Sequence, residues 1–128
     1  MANETLERLS YVTDLMRRKG LSVSLLVYRS DETHSIGYYR LLGLIDDCKI
    51  YVMEFISDKR LVKYSYTLLL QDKVIVRYDN APHHPNITTH PHHKHVMGRI
   101  EPLEDPSIEK FLKEIEKSCP IELKENQS

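Results

Sequence analysis

Residues 38–79 read YYRLLGLIDDCKIYVMEFISDKRLVKYSYTLLLQDKVIVRYD, a series of apolar, β-branched and aromatic runs separated by short polar breaks. The breaks fall at 46–47, 57–59 and 71–72. Connections of this length are too short for the crossover that parallel strands require, so neighbouring strands are expected to pair antiparallel. The pattern therefore predicts an antiparallel meander.

Four or five strands are expected when the preceding run LSVSLLVYR is included. Their predicted bounds are 21–29, 38–45, 50–56, 61–70 and 73–79. Because side chains alternate along a strand, Arg77 and Asp79 are predicted to share one face where the last strand ends.

A helix is expected on each side of this strand-rich region in the sequence. Residues 3–19 carry apolar side chains at helical spacing, and Gly20 follows as a stop signal. Asp105 and Pro106 are typical of a helix N-cap and first position, and the apolar spacing that follows ends before Pro120. Together these elements predict an α+β fold with an N-terminal helix, a four- to five-stranded meander, a histidine-rich loop and a C-terminal helix. We expect one domain over residues 1–120 and a polar tail over 121–128.

The composition fits a globular domain of 128 residues, of which 41% are hydrophobic and 29% charged. No apolar run approaches the ~18 residues of a membrane span and the first residues are unlike a secretory signal, so a cytoplasmic location is expected. The net charge of −1 argues against a protein that coats nucleic acid. Cys48 and Cys119 have no CxxC spacing and are expected to be buried free thiols.

The segment 77–95, RYDNAPHHPNITTHPHHKH, contains six of the seven histidines of the chain. Its three prolines disfavour a helix or a central strand, so an ordered loop is predicted. Histidine exchanges a proton or binds a metal near neutral pH, because its ordinary pKa is ~6.5. A cluster of six therefore indicates chemistry more than packing, although solvated turn residues are the simplest alternative.

A metal site is one interpretation of the segment. Imidazole suits Zn, Ni or Cu, and the candidate ligands are His90, His92, His93 and His95. Against a metal, Lys94 would place a permanent cation beside the ion, and Asp79 is the single carboxylate nearby. We therefore expect no cofactor.

Metal-independent cleavage of RNA is the other interpretation. One of His83 or His84 is the candidate base, and the candidate acids are His90, His92, His93 and His95. Arg77 and Lys94 are candidates to hold the phosphate, and Asp79 to orient a histidine or Arg77. Tyrosines could stack on bases, although a tyrosine on a strand is more often part of the core; these are Tyr64, Tyr66 and Tyr78.

The motifs KYSY at 63–66, VRYDNAPHHPNI at 76–87 and THPHHKHV at 89–96 resemble those of the TumE family, toxin components of prokaryotic toxin–antitoxin systems. The resemblance runs from about Tyr38 to the C-terminal helix, but residues 67–69 depart from the HWQ-like segment of many relatives. It implies a growth-inhibiting toxin that a cognate DNA-binding antitoxin neutralises. The site positions that it carries over are Tyr64, Tyr66, Arg77, Asp79, Asn80, His83, His84, His90, His92, His93, Lys94 and His95.

The resemblance leaves the reaction open. The candidate acids, bases and phosphate-binding residues named above favour a metal-independent endoribonuclease with RNA as substrate. The alternatives are a non-enzymatic or metal-stapled module that binds a translation component, and a metal-dependent phosphodiesterase. The apolar stripes of the two helices also leave a homodimer open.

Overall fold

The structure is a computed structural model that describes residues 3–120. Its helices are α1 (Glu4–Arg18) and α2 (Ile108–Glu114), the latter followed by a 3-10 turn (Ile115–Lys117). The strands are β1 (Ser22–Asp31), β2 (Ile36–Ile45), β3 (Cys48–Ser57), β4 (Arg60–Leu70), β5 (Lys73–Asp79), β6 (His93–Val96) and β7 (Arg99–Pro102). Within the described range, no helix has the length and apolar character needed to cross a membrane. The predicted tail at 121–128 lies outside the described residues.

The sheet contains seven strands in the order β1 to β7, and every neighbouring pair is antiparallel. The predicted meander and α+β class are confirmed, but the predicted count of four or five strands was wrong. Strands β6 and β7 were missed because HKHV has no apolar alternation. The two strands are joined by Met97 and Gly98, which have φ angles of 49° and 84°. Such positive angles are typical of a two-residue hairpin turn.

The loop in the histidine-rich segment is shorter than predicted. Both of its ends belong to strands, because β5 extends through Asp79 and β6 begins at His93. The remaining residues, 80–92, form the connection between these neighbouring strands, which we call the histidine loop. The loop is therefore anchored on both sides by the ladder between β5 and β6.

Helix α1, which the sequence predicted, packs its apolar side against the sheet. The Asn3 side chain caps it by accepting a hydrogen bond of 3.1 Å from the Leu6 amide. Gly37 of β2 permits a close approach, since an added Cβ there would lie 1.7 Å from Thr5 Oγ1. The buried apolar residues of α1 are Leu9, Val12, Leu15 and Met16.

Helix α2 covers the same face of the sheet at β4 and β5. The ring of Phe111 lies 5.8 Å from that of Tyr66 and 5.1 Å from that of Tyr78, measured between centroids. The helix is capped by Ser107, whose hydroxyl accepts from the Lys110 amide, and not by Asp105 as predicted. Asp105 instead accepts from the Ser107 amide, so it shapes the turn that leads into the helix.

The face that the helices cover, here the covered face, also contains a buried carboxylate. Glu54 of β3 is fully buried and receives both Nε and Nη2 of Arg8, at 2.8 and 2.9 Å. The hydroxyl groups of Tyr39 and Tyr66 donate to the same carboxylate. A buried ion pair with all its partners satisfied fixes how α1 is placed on the sheet.

Cys48 and Cys119 form a disulfide, so the prediction of two free thiols was wrong. The two residues are 71 positions apart in the sequence, but their Cα atoms are 6.3 Å apart. This distance lies in the usual disulfide range. The bond joins the first residue of β3 to the segment that follows α2.

The opposite side of the sheet, here the open face, is more exposed. Alternate residues of the central strands on this side are only partly buried, including Tyr38, Leu42, Tyr51, Met53 and Phe55. The histidine loop and the outer strands β5 to β7 lie at one edge of the sheet, so polar groups on the open face of β5 and β6 remain accessible. The candidate site is built there.

Candidate active site

Asp79, the last residue of β5, is the centre of the candidate site. Its side chain is 6% exposed and its Oδ2 lies 3.1 Å from Arg77 Nε and 3.6 Å from His95 Nε2. Its Oδ1 lies 3.0 Å from His93 Nε2 and accepts a 3.0 Å hydrogen bond from the Ala81 amide. One carboxylate therefore orients a guanidinium, two imidazoles and the start of the histidine loop.

The register between β5 and β6 explains this convergence. Asp79 pairs with His93, and Arg77 pairs with His95. Residues that pair across antiparallel strands point to the same face, as do residues two apart on one strand. All four side chains therefore lie on the open face. The predicted shared face of Arg77 and Asp79 is confirmed.

His84 of the histidine loop completes a cluster of three rings. Its ring centroid lies 4.7 Å from that of His93 and 5.9 Å from that of His95, and the last two are 5.0 Å apart. One ring nitrogen from each residue lies within 4.8 Å of the others. We call His84, His93 and His95 the histidine triad.

His93 is the most constrained member of the triad. It is 2% exposed, and its Nδ1 lies 3.0 Å from the carbonyl oxygen of Pro91. A carbonyl only accepts hydrogen bonds, so Nδ1 carries a proton and Nε2 is the nitrogen that faces Asp79. With both nitrogens engaged and the ring buried, His93 has a fixed orientation.

His95 and Arg77 are the more accessible groups. Their side chains are 31% and 46% exposed. Burial lowers the pKa of His95, and although the charge of Asp79 opposes this, His93, Arg77 and His84 lower it further. His95 is therefore mainly neutral at pH 7, with a lone pair available to accept a proton.

His92 points away from the triad. It lies beside Tyr64 on the covered side, with Nδ1 2.8 Å from the tyrosine hydroxyl and the two rings stacked. Its pKa is lowered by burial and then by the charge of His93, and the pKa of Tyr64 is raised by burial and by Asp79. The four histidines that were expected as metal ligands therefore do not lie together in one cluster.

Lys94 also points away from the triad. Because it lies between His93 and His95 on β6, alternation directs its side chain to the covered face. There its Nζ lies 3.2 Å from both carboxylate oxygens of Glu114, which also accepts a hydrogen bond from the Tyr78 hydroxyl. Lys94 is engaged by Glu114 of α2 and lies on the opposite face of the sheet from the triad.

The other residues that were predicted for the site lie outside the triad. Tyr66 and Tyr78 are fully buried and offer no face on which a base could stack, and Tyr64 is 3% exposed. Asn80 accepts from the Tyr64 amide and donates to the Val62 carbonyl, which fixes the start of the histidine loop to β4. Two further histidines, His83 and His90, are exposed and lie outside the triad.

Sequence reasoning identified every residue of the triad but not the grouping. His93 and His95 are two residues apart, a spacing that places them together only if HKHV is a strand. The signal available for that strand was Gly98, which follows it at a position typical of a hairpin turn.

A model of the family described as toxin TumE matches residues 8–119 of the chain. This range includes all seven strands, α2 and every residue of the candidate site. Neither the curated proteins nor the solved structures contain a match. The chain therefore belongs to the TumE toxin family.

Proposed function

We propose that this toxin is a metal-independent endoribonuclease that cleaves RNA by acid–base catalysis at the histidine triad. The observation that carries the proposal is a pair of partly exposed imidazoles, His84 and His95, with ring centroids 5.9 Å apart, beside the half-exposed guanidinium of Arg77, which shares the buried Asp79 carboxylate with His95. Membership of a toxin family implies an antitoxin partner. RNA as substrate, and a DNA-binding domain in the antitoxin, are part of the proposal.

Arg77 is the candidate phosphate-binding residue. Its ion pair with Asp79 uses Nε, so its terminal nitrogens remain able to donate two parallel hydrogen bonds to a phosphate. Half of its side chain is exposed on the open face beside His95, which it pairs with across the strands. A phosphate bound there would lie next to both accessible imidazoles.

His95 is the candidate base and His84 the candidate acid. This reverses the assignment expected from the sequence, because the lowered pKa of His95 favours its neutral form. In the proposed reaction His95 removes the proton of a 2′-hydroxyl, whose oxygen then bonds to the adjacent phosphorus. The bond from phosphorus to the 5′-oxygen breaks, and His84 gives its proton to that oxygen. The products are a 2′,3′-cyclic phosphate and a 5′-hydroxyl end.

His93 and Asp79 are proposed to position the reacting groups. His93 is too buried to touch a nucleic acid, but its ring packs edge-on against both His84 and His95. Asp79 holds His93, His95 and Arg77 at once. Their proposed contribution is orientation, which makes the triad ready for proton transfer before substrate binds.

The test is an RNA-cleavage assay with tag-free protein in EDTA, comparing the wild type with His95→Ala, His84→Ala and His34→Ala. Removal of a proton-transfer group is expected to lower the rate by about 10²–10⁴-fold. His34→Ala, which removes the histidine outside the segment, is expected to keep the wild-type rate. Cyclic phosphate ends should accumulate only with active proteins. Equal activity of His95→Ala and the wild type would reject the base assignment.

A metal-dependent phosphodiesterase is the second candidate, and the closeness of the three ring nitrogens favours it. That mechanism requires cleavage to disappear in EDTA and to return with added metal. If no RNA is cut with or without metal, the nuclease is rejected. A toxin that acts by binding a translation component would then be the remaining proposal.

A further inference from the structure

We propose that the histidine triad binds one divalent ion of the zinc class and that the bound ion inhibits the metal-independent reaction. The binding site rests on the geometry of His84, His93 and His95, whereas the inhibition rests also on the proposed function. The three residues come from two separate segments, since His84 lies on the histidine loop and the other two lie on β6.

The spacing of the nitrogens is close to that of a metal site. A tetrahedral zinc ion with bonds of 2.0–2.1 Å holds its nitrogen ligands about 3.3 Å from one another. The triad nitrogens lie within 4.8 Å of one another. Small side-chain rotations, of about 1 Å at the nitrogens, would close that difference. The β6 backbone need not move, because His93 and His95 already point to the same face.

The hydrogen bond between His93 and Pro91 is an independent observation that points to a ligand. Histidines that bind metals almost always donate the other ring N–H to a carbonyl or carboxylate, which fixes the ring and leaves the second nitrogen for the ion. His93 Nδ1 faces the Pro91 carbonyl in this way, at 3.0 Å. Its Nε2 faces Asp79, and one ring nitrogen of each triad residue lies within 4.8 Å of the others. A metal bonded to Nε2 would take the place of the contact between this nitrogen and Asp79.

The charges around the triad are compatible with a cation. The carboxylate of Asp79 lies 3.0 Å from His93 Nε2 and 3.6 Å from His95 Nε2, so it can offset part of the charge of the ion. Lys94, which the sequence placed beside a metal, is directed to Glu114 on the covered face. Arg77 is the cation that remains nearby, and Asp79 partly neutralises it.

The chemistry of the donors selects the class of ion. Three imidazoles suit Zn²⁺, Co²⁺, Ni²⁺ or Cu²⁺, whereas Mg²⁺ and Ca²⁺ prefer oxygen ligands. The partial exposure of His84 and His95 leaves one side of the triad open to solvent. An ion held there would bind one ring nitrogen of each of the two residues that are proposed to transfer protons.

Binding is tested by equilibrium dialysis of tag-free, EDTA-treated protein against Zn²⁺, with metal analysis and thermal melting. We expect one ion per chain and a melting temperature that rises with added Zn²⁺, because the ion binds the folded state. His84→Ala and His95→Ala are expected to weaken binding by about tenfold or more. His83→Ala, from the same loop but outside the triad, and His90→Ala, from the ligand set expected from the sequence, should bind as the wild type does.

Two results would overturn the binding site: less than one ion per chain at saturating Zn²⁺, or an equal loss of binding in His83→Ala and His84→Ala. Melting in EDTA serves as the folding control, since His84→Ala should melt at the wild-type temperature without metal. This measurement does not depend on nuclease activity, so it stands if no RNA is cleaved.

Inhibition is tested by adding one equivalent of Zn²⁺ to a cleavage assay in which the EDTA-treated protein has been transferred to metal-free buffer without EDTA. The expected result is a loss of at least about 90% of the metal-free rate, restored when excess EDTA is added. Cleavage that needs Zn²⁺ would overturn both inhibition and the metal-independent mechanism, while agreeing with the binding site. Cleavage that Zn²⁺ leaves unchanged, in protein shown to hold the ion, would overturn inhibition alone.

Discussion

Asp79 has more polar contacts than any other single side chain of the site, because it lies where β5, β6 and the histidine loop meet. Replacing it by asparagine keeps the size of the side chain and an oxygen that can accept from the Ala81 amide. The change removes the negative charge that faces His93 and Arg77. It therefore separates the electrostatic role of Asp79 from its role in shaping the loop.

We expect Asp79→Asn to lower the free energy of unfolding by about 2–4 kcal/mol, because His93 is left buried without its charged partner. Arg77→Gln is the matched control. It removes the half-exposed partner of the same carboxylate and should cost about 1 kcal/mol or less. Urea denaturation of the two variants checks the difference. Equal losses would mean that the buried contact to His93 is worth no more than the exposed one.

The individual residues of the site were largely predictable from the sequence, but their surroundings were not. Histidine is the residue of proton transfer and metal binding, so the composition of the segment was enough to propose where the candidate site lies. The direction of Lys94 depended on whether HKHV is a strand, since period-two alternation turns it away from His93 and His95. Whether Tyr66 and Tyr78 belong to the core or to a binding surface was left open, because no local pattern revealed that α2 packs on them.

At the scale of elements, the contact between β6 and α2 ties the site to the second helix. Glu114 receives Lys94 from β6 and the hydroxyl of Tyr78 from β5. Burial raises the pKa of Glu114, but the hydrogen bonds from Tyr78 and Lys94, together with the charges of Lys94 and Lys117, outweigh burial, and the net pKa is lowered. One carboxylate therefore connects α2 to the two strands that carry the triad.

The lowered pKa gives this contact a predictable pH dependence. The ordinary pKa of glutamate is ~4.3. Because the folded-state pKa is below the unfolded value, the contribution to stability is fully present above the unfolded pKa and is lost as the pH falls through the folded one. Glu114→Gln should destabilise the protein at neutral pH and show a smaller further loss between neutral and acidic pH than the wild type. Melting temperatures measured across that range check this, and parallel curves would contradict it.

The edges of elements were the least predictable part of the fold. Strands β6 and β7 have four residues each, and β6 is polar because it carries the candidate site on one face and the Glu114 contact on the other. The N-cap of α2 moved from Asp105 to Ser107 because both are good caps and only the packed chain selects between them. The long central strands were predictable because their alternation is set by one buried face.

At the scale of the whole molecule, the disulfide closes a loop that includes every element of the site. Cys48 begins β3, and Cys119 follows α2, so the bond spans β3 to β7, the histidine loop and both residues of the Lys94 contact. The disulfide could not be predicted from the sequence, because the distance between the two cysteines depends on how the strands and helices are arranged. The bond fixes the segment that follows α2 against the start of β3.

Closing a loop of 71 residues is expected to stabilise the folded state by about 4 kcal/mol, through the conformational freedom that it removes from the unfolded chain. A reducing agent should therefore lower the urea midpoint of the wild type. The double variant Cys48→Ser/Cys119→Ser should have the low midpoint with or without the agent. The wild-type midpoint could also stay unchanged after reduction, in protein whose thiols are shown to be free. That result would mean that native contacts of α2 keep the segment around Cys119 in place without the covalent bond.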